Sequence, residues 1–216
     1  MIKVERSLIP PASLAIEEKK KNGSYRCKDV IDALARDFHE KCYLCEMKPV
    51  SDPEVEHLLP HHNRSIKERV FDWNNLFYAC SHCNSVKNKK EYEEGIIDCC
   101  SRDPEKLLSY SLQENRVAVS VFVKSDSEAI LTAKLIEEIF NTTSTGIRTK
   151  AAQARLYELQ RTMVGFYATL EQYKHDPDNN KVIKKLRGLL SREAEYSCFT
   201  RAYARKIGIG ILKEIE

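Results

Sequence analysis

Two pairs of cysteines, each in a CxxC arrangement, are the residues whose spacing most directly predicts chemistry. They are Cys42 with Cys45 and Cys80 with Cys83. Each CxxC turn presents two thiolates to one ion, so two turns supply the four ligands of a tetrahedral zinc site. Four free buried cysteines are the structural alternative, and a redox role is less favoured because no βαβ pattern surrounds either pair. The spacing therefore predicts a structural Zn²⁺ ion.

The segment between the two pairs carries polar residues that a structural zinc site does not need. Glu56 directly precedes His57, Asn75 lies further along, and Asn84 directly follows the second pair. An isolated histidine is more often structural than catalytic, but the position of His57 between two zinc knuckles favours a catalytic role. The combination of these residues therefore points to a reaction rather than to a purely structural zinc knuckle.

Three further histidines have open roles. His61 and His62 follow Pro60 and either reach a phosphate or a metal or stay at the surface. His82 lies inside the second CxxC pair, where we expect it to cap the turn or to form a hydrogen bond.

Three lysines follow the second pair on a predicted helix, namely Lys87, Lys89 and Lys90. Their charges could neutralise the backbone phosphates of a nucleic acid. An ordinary solvated helix face explains each of them about equally well. If they do contact phosphates, nucleic-acid binding should weaken as the salt concentration rises.

The order of these motifs resembles that of the four-cysteine HNH nucleases. In both, a CxxC pair is followed by an acidic residue and a histidine, an Asn-Leu pair, and a second CxxC pair with asparagine and lysine behind it. The resemblance implies a β-hairpin and a helix that grip one catalytic metal ion. The expected fold class is α+β, a ββα-metal HNH core with zinc knuckles plus a mainly helical C-terminal lobe.

The same resemblance implies a role for each matching residue. His57 is expected on the first strand as the general base, and Asn75 in a loop that steadies it. Glu56, where many relatives have Asp, and Asn84, which opens the helix, are expected to bind the catalytic ion. Oxygen donors suit Mg²⁺ or Mn²⁺, which can stabilise the leaving oxygen. A neutral imidazole can take a proton from the attacking water.

Three stretches resemble one group of HNH proteins in particular, the PtuB group. These are the HNH components of Septu anti-phage systems, which are also found beside some retrons. The resemblance covers residues 1–105 and is loose over the helical half, where Phe140-Asn141 and Arg155 are similar. It implies a PtuA-type ATPase as partner and phage DNA as substrate, with a host RNA such as tRNA as the alternative. The stretches are Ile9-Pro10-Pro11 with Leu14, the helix running into Lys41–Glu46, and Val55-Glu56-His57 with Asp72–Leu76.

Composition limits the class of protein. The chain has 216 residues, of which 42% are apolar and 31% charged, as in ordinary globular proteins. A net charge of +3 predicts a local basic patch rather than a basic surface. Eight cysteines would indicate disulfides in a small secreted protein, but in this longer chain the paired cysteines are more typical of metal ligands. With no membrane-spanning apolar run and no signal-peptide pattern, we expect a cytoplasmic protein without a membrane partner.

The apolar spacing predicts the elements that position these residues. A helix is expected over 28–40, an irregular segment with the ligands over 41–92, and a hairpin over 107–123 that turns at 114–115. Helices follow, and Ser125 with Glu128 forms a capping-box pattern at the start of the first. Three more helices are expected after it. The first of these carries apolar residues from Leu156 to Tyr173 and ends at Asp176-Pro177-Asp178. The other two are marked by Val182 to Leu189 and by Phe199 to Ile207. The leader is expected to be extended and then to turn.

Two domains are predicted, a nuclease domain over 1–105 and a lobe over 106–216 that docks the partner. The main rival is a non-catalytic zinc module that only binds nucleic acid or a partner. Glu56, His57 and Asn84 together argue against it, because a purely structural knuckle needs none of them.

Overall fold

The chain forms a mixed α+β structure in which helices surround two small antiparallel sheets. The computed structural model describes residues 1–143 and 146–215, apart from the side chain of Arg148. Over these residues the helices are α1 (Ala12–Glu18), α2 (Lys28–Asp37), α3 (Ser81–Lys87), α4 (Ser127–Asn141), α5 (Gly146–His175), α6 (Asn180–Leu190), α7 (Ser197–Ile207) and α8 (Gly210–Ile215). The strands are β1 (Pro53–His57), β2 (Leu76–Cys80), β3 (Leu108–Gln113) and β4 (Arg116–Val121).

A β-hairpin followed directly by a helix forms the centre of the N-terminal half. β1 pairs with β2 in a register that sets Pro53 opposite Cys80 and His57 opposite Leu76. Every residue of β2 is buried, as expected for its continuous apolar run, so β2 is covered on both faces. α3 begins at the next residue, which places Cys80 and Cys83 one helical turn apart.

The second hairpin is confirmed at the predicted place. β3 and β4 pair from Leu108 opposite Val121 to Gln113 opposite Arg116. The turn between them contains Glu114, whose φ of 52° is left-handed. The side chain of Asn141, at the end of α4, accepts a hydrogen bond from Val117 N at 2.9 Å and donates to Val117 O at 2.7 Å. This pair of bonds fixes α4 against β4.

The two halves of the chain share one hydrophobic core. The cluster of buried side chains runs from Val55 and Phe77 to Phe140, Leu159 and Phe199. Polar contacts cross it as well. Ile97 N donates to Thr132 Oγ1 at 2.8 Å, and Lys41 Nζ donates to Arg192 O at 2.6 Å. The predicted division at residue 105 therefore falls within a continuous core.

Most of the predicted helices are confirmed, with local corrections. α2 ends at Asp37 rather than at residue 40, because His39 and Glu40 are left-handed, with φ of 54° and 57°. The cap of α4 is Asp126, whose side chain accepts from Ala129 N, so the capping box based on Ser125 is wrong. α5 stops at His175, directly before the predicted Asp-Pro-Asp break.

Two short helices, α1 and α8, were not predicted. Residues 1–11 form no helix or strand, and α1 follows them directly. After α1 the chain turns at Gly23, where a Cβ atom would lie 1.8 Å from Glu17 O, so only glycine fits this turn.

No helix among the described residues combines the length and the apolar character that a bilayer crossing requires. α5 is long enough, with 30 residues, but it is too polar.

Candidate functional site

The four cysteines of the two CxxC pairs converge in the structure. Cys42, Cys45, Cys80 and Cys83 are buried, and their sulfur atoms all lie within 4.8 Å of one another. The Sγ atoms of Cys45 and Cys80 are 4.0 Å apart. Zn–S bonds of about 2.3 Å place tetrahedral sulfur ligands about 3.8 Å from each other. The cluster therefore fits a metal such as zinc, as the spacing predicts.

Local backbone contacts explain how the first pair reaches the second. Glu46 N donates to Cys42 O at 2.8 Å and closes the CxxC turn between α2 and β1. Tyr43 N donates to Tyr78 O at 3.0 Å, which attaches this turn to the edge of β2. Since Cys80 ends β2, both pairs meet at the same end of the hairpin.

A buried arginine from α5 contacts the sulfur cluster. Arg155 Nη2 donates to Cys80 Sγ at 2.9 Å. Hydrogen bonds from the three other thiols lower the pKa of Cys80, and the charge of Arg155 lowers it further. Burial raises the pKa values of Cys42 and Cys83. Arg155 thus places a positive charge directly beside Cys80, and sequence motifs gave no sign of this contact.

A polar cleft of about 440 Å³ lies between the first hairpin, α3 and the segment after α1. Glu56 and His57, which are adjacent in sequence, line this cleft together with the distant Asn84. Tyr25 and Arg26, from the segment after α1, also line the cleft.

His57, the last residue of β1, is oriented by a backbone carbonyl. Its Nε2 lies 3.1 Å from Val70 O. Because a carbonyl oxygen only accepts, Nε2 carries the proton and donates, which leaves Nδ1 as the basic nitrogen. The rings of Tyr25 and His61 meet the imidazole edge-on, with centroids 4.6 and 4.5 Å away. Burial lowers the pKa of His57 to about 4, so the imidazole is neutral near pH 7.

Asn75 holds the loop that orients His57. Its side chain accepts from Leu59 N at 2.8 Å and donates to Leu59 O at 2.9 Å and Arg69 O at 3.0 Å. These three bonds tie both ends of the loop between β1 and β2 together. Val70, whose carbonyl contacts His57, is the neighbour of Arg69. Asn75 therefore acts on the imidazole through the loop.

Glu56 is held by two donors and is only 2% exposed. Lys87 Nζ lies 2.6 Å from Glu56 Oε1, and the Tyr43 hydroxyl donates to Oε2 at 2.7 Å. Lys87 also donates to the carbonyl oxygens of His57 and Leu58. A carboxylate suits Mg²⁺ or Mn²⁺ by type, but in this arrangement both oxygens of Glu56 are engaged. The residues present therefore do not fit the predicted catalytic ion.

Asn84 lies in the first turn of α3 rather than at its opening residue. Its side chain is half-buried in the cleft, where Oδ1 accepts a hydrogen bond of 3.3 Å from Asn88 Nδ2.

The three lysines predicted to contact phosphates lie in different surroundings. The ammonium of Lys87 is buried on Glu56, so it is not at a surface that a nucleic-acid backbone could reach. Lys89 pairs with Glu138 of α4. Lys90 is exposed.

Two arginines beside Tyr25, a residue that lines the cleft, were missed by sequence reasoning, and we call this edge the mouth of the cleft. Arg26 is half-exposed and pairs with Glu54 at 3.3 Å. The guanidinium of Arg64 lies 6.0 Å from the centre of the Tyr25 ring and donates to Gly23 O at 2.7 Å. A lone Tyr-Arg dipeptide is too common to indicate this placement, because only the fold brings residues 25–26 next to residues 61–64.

His82 and His61 have local hydrogen-bond partners. His82 is buried, and its Nε2 lies 3.0 Å from Ile139 O. It does form a hydrogen bond, as expected, but to α4 rather than within the knuckle. His61 Nδ1 accepts from Arg64 N at 3.0 Å, which shapes the rim of the cleft.

Comparison with known proteins finds no matching family model and no matching curated protein.

Proposed function

We propose that this protein is an HNH-type endonuclease that hydrolyses phosphodiester bonds, with DNA as its substrate. The supporting observation is the convergence of Glu56, His57 and Asn84 on one cleft of a hairpin-helix unit. The junction of that unit is held by the four-cysteine cluster. The resemblance of the motif to HNH nucleases supports the same assignment independently of the geometry.

The proposed chemistry uses the neutral imidazole as the base. Nδ1 of His57 takes a proton from the attacking water, whose oxygen bonds to phosphorus while the bond from phosphorus to the leaving sugar oxygen breaks, and a solvent proton neutralises that oxygen. The bond from Nε2 to Val70 O keeps the ring fixed and stabilises the imidazolium that results. Arg26 and Arg64 at the mouth balance the charge of the bound phosphates. A divalent ion, where bound, would stabilise the negative charge of the leaving oxygen, and Glu56, which pairs with Lys87, would not hold it.

The choice of DNA and of a partner rests on the resemblance to the PtuB group. In that reading the protein is the nuclease component of an anti-phage complex with a PtuA-type ATPase. The exposed outer side of the helical half is the surface available for such a partner.

Cleavage assays with the full chain test the proposal. Plasmid DNA and tRNA are incubated with the protein, alone and with the ATPase, in Mg²⁺, in Mn²⁺ and in EDTA. His57→Ala should abolish cleavage and leave bound zinc and the folded state unchanged, because its ring lies outside the sulfur cluster. His175→Ala, an exposed histidine at the end of α5, is the matched control and should retain full activity.

The outcomes separate the alternatives. Cleavage of tRNA but not of plasmid makes the protein an RNA nuclease. Binding without cleavage of either substrate in every condition indicates the non-catalytic zinc module. Undiminished cleavage by His57→Ala removes this residue from the mechanism.

A further inference from the structure

The guanidinium of Arg155 is a buried charge on a helix far along the chain from the cysteines. Its residue is only 7% exposed, in the middle of α5. Nη1 donates to Ala151 O at 2.9 Å and Nη2 to Cys80 Sγ at 2.9 Å, while Nε has no hydrogen-bond partner. An arginine side chain stays charged at every physiological pH. The fold must therefore balance a permanent positive charge at this point.

The sulfur cluster is the balancing group that the surroundings offer. Within the described part of the chain, no carboxylate forms an ion pair with Arg155. A buried charge without a partner is strongly destabilising. Four protonated thiols are neutral and would not provide one. Four thiolates around one divalent ion carry two negative charges in excess.

We propose that Arg155 supplies the counter-charge of a four-thiolate metal centre, which makes α5 part of that centre. Arg155 is a positioning residue that acts through Cys80 and does not touch the metal. This role of Arg155 is separate from nuclease activity and holds whether or not the cleft cleaves nucleic acid.

The arrangement also explains how the two halves of the chain are fastened together. The metal holds the end of β2 and the start of α3 to the first CxxC turn, and the excess charge of the thiolates holds α5. Metal binding and the docking of α5 should therefore be coupled, since each stabilises the other.

Zinc retention by variants of the full chain tests this coupling. Arg155→Met keeps an unbranched, flexible stem but removes the guanidinium and its charge, and Arg155→Lys keeps the charge. Zinc transfer to a chromophoric chelator should be at least about tenfold faster in Arg155→Met, the range typical of groups that support metal ligands. Arg155→Lys should recover most of the loss.

A substitution elsewhere on α5 provides the control. Thr162 Oγ1 donates to Glu195 Oε1 at 2.8 Å, so Thr162→Val removes a buried contact of the same helix without touching the cluster. Its zinc transfer should match that of the unaltered protein. If Arg155→Met also matches the unaltered protein, the proposal is overturned.

If Arg155→Met does not fold, amide hydrogen exchange of the unaltered protein tests the coupling between zinc and α5 instead. Removing zinc should accelerate amide exchange around residues 151–159 of α5 as well as in both CxxC turns. Opening of the two turns with unchanged exchange in α5 would show that the helix does not depend on the metal charge, and would overturn the proposal.

Discussion

Lys87 and Glu56 form a buried ion pair at the floor of the cleft, with 2.6 Å between Nζ and Oε1. The pair joins α3 to β1, and Lys87 extends the connection to the carbonyls of His57 and Leu58. The same contact braces the hairpin against the helix and occupies the carboxylate that was predicted to bind the catalytic ion.

Loss of Lys87 should destabilise the fold. Lys87→Met leaves the carboxylate of Glu56 buried without its cation, which costs about 3 kcal/mol in comparable cases. The free energy of unfolding in urea, followed by Trp73 fluorescence, measures this change. Because the cost comes from the unpaired charge, the double variant Lys87→Met with Glu56→Gln should lose less stability than the sum of the losses in the two single variants. Additive losses would show that the pair contributes no coupling.

Asn75 offers a test of how the loop positions His57. Asn75→Asp keeps an acceptor for Leu59 N but loses both donated hydrogen bonds, to Leu59 O and Arg69 O. We expect a loss of about 2 kcal/mol of stability from the unpaired buried carbonyls and slower cleavage, since Val70 O is no longer held. Stability and cleavage rate are measured on the same preparations. A variant that loses stability but cleaves at the normal rate would confine Asn75 to a structural role.

Nucleic-acid binding should depend on the mouth of the cleft rather than on α3. In a His57→Ala background, Arg26→Glu should weaken DNA binding and reduce the salt slope of log K by about 1 for the lost phosphate contact. Lys184→Glu, the same charge change on the exposed side of α6, is the control. Fluorescence anisotropy over a salt series gives both quantities. Equal effects of the two variants would mean that only net charge matters.

Glu105 predicts how the fold responds to acid. Arg201 Nε and Arg205 Nη2 each lie 2.6 Å from its Oε1, and Arg192 contacts Oε2. Burial raises the pKa of Glu105, but the bonds and charges of Arg201 and Arg205 outweigh burial and hold the pKa below the ordinary 4.5. The unfolded chain therefore binds this proton first as the pH falls. The stability that Glu105 contributes is present above pH 4.5 and is lost at lower pH.

The corresponding measurement compares Glu105→Gln with the unaltered protein. Near pH 7 the free energy of unfolding of the variant should be lower by about 3 kcal/mol, because three arginines each lose their contact with this buried carboxylate. The difference should narrow as the pH falls below 4.5. If the difference in the free energy of unfolding between the two proteins stays constant down to pH 3, protonation of Glu105 does not determine the loss of stability in acid.

The sequence predicts the parts of the site that depend on short-range pattern. The CxxC spacing predicted the cysteine cluster because each turn fixes its own two sulfur atoms. Alternation of valines predicted the second hairpin, and three-four spacing predicted the long helices. The start of α4 was misplaced by one residue, since Asp126 and Ser125 are both good caps and only the fold selects between them.

The contacts that depend on long-range packing could not be predicted. Lys87 has the pattern of a surface lysine, and only the close approach of α3 to β1 explains its burial. The contact of Arg155 with Cys80 joins residues 75 positions apart, and no local motif signals it. The basic mouth of the cleft likewise exists only because the segment after α1 folds back beside residues 61–64.

The continuous core determines which deletion experiments are informative. Cutting the chain before α4 removes the carbonyl partner of His82, the guanidinium beside Cys80, and the apolar cover of α3. Such a fragment would expose the cysteine cluster and the core to solvent and aggregate. Its failure to bind an ATPase would therefore carry no information about docking. The binding face must instead be mapped by single replacements of outward-facing side chains such as Tyr157 and Val164 in the intact chain.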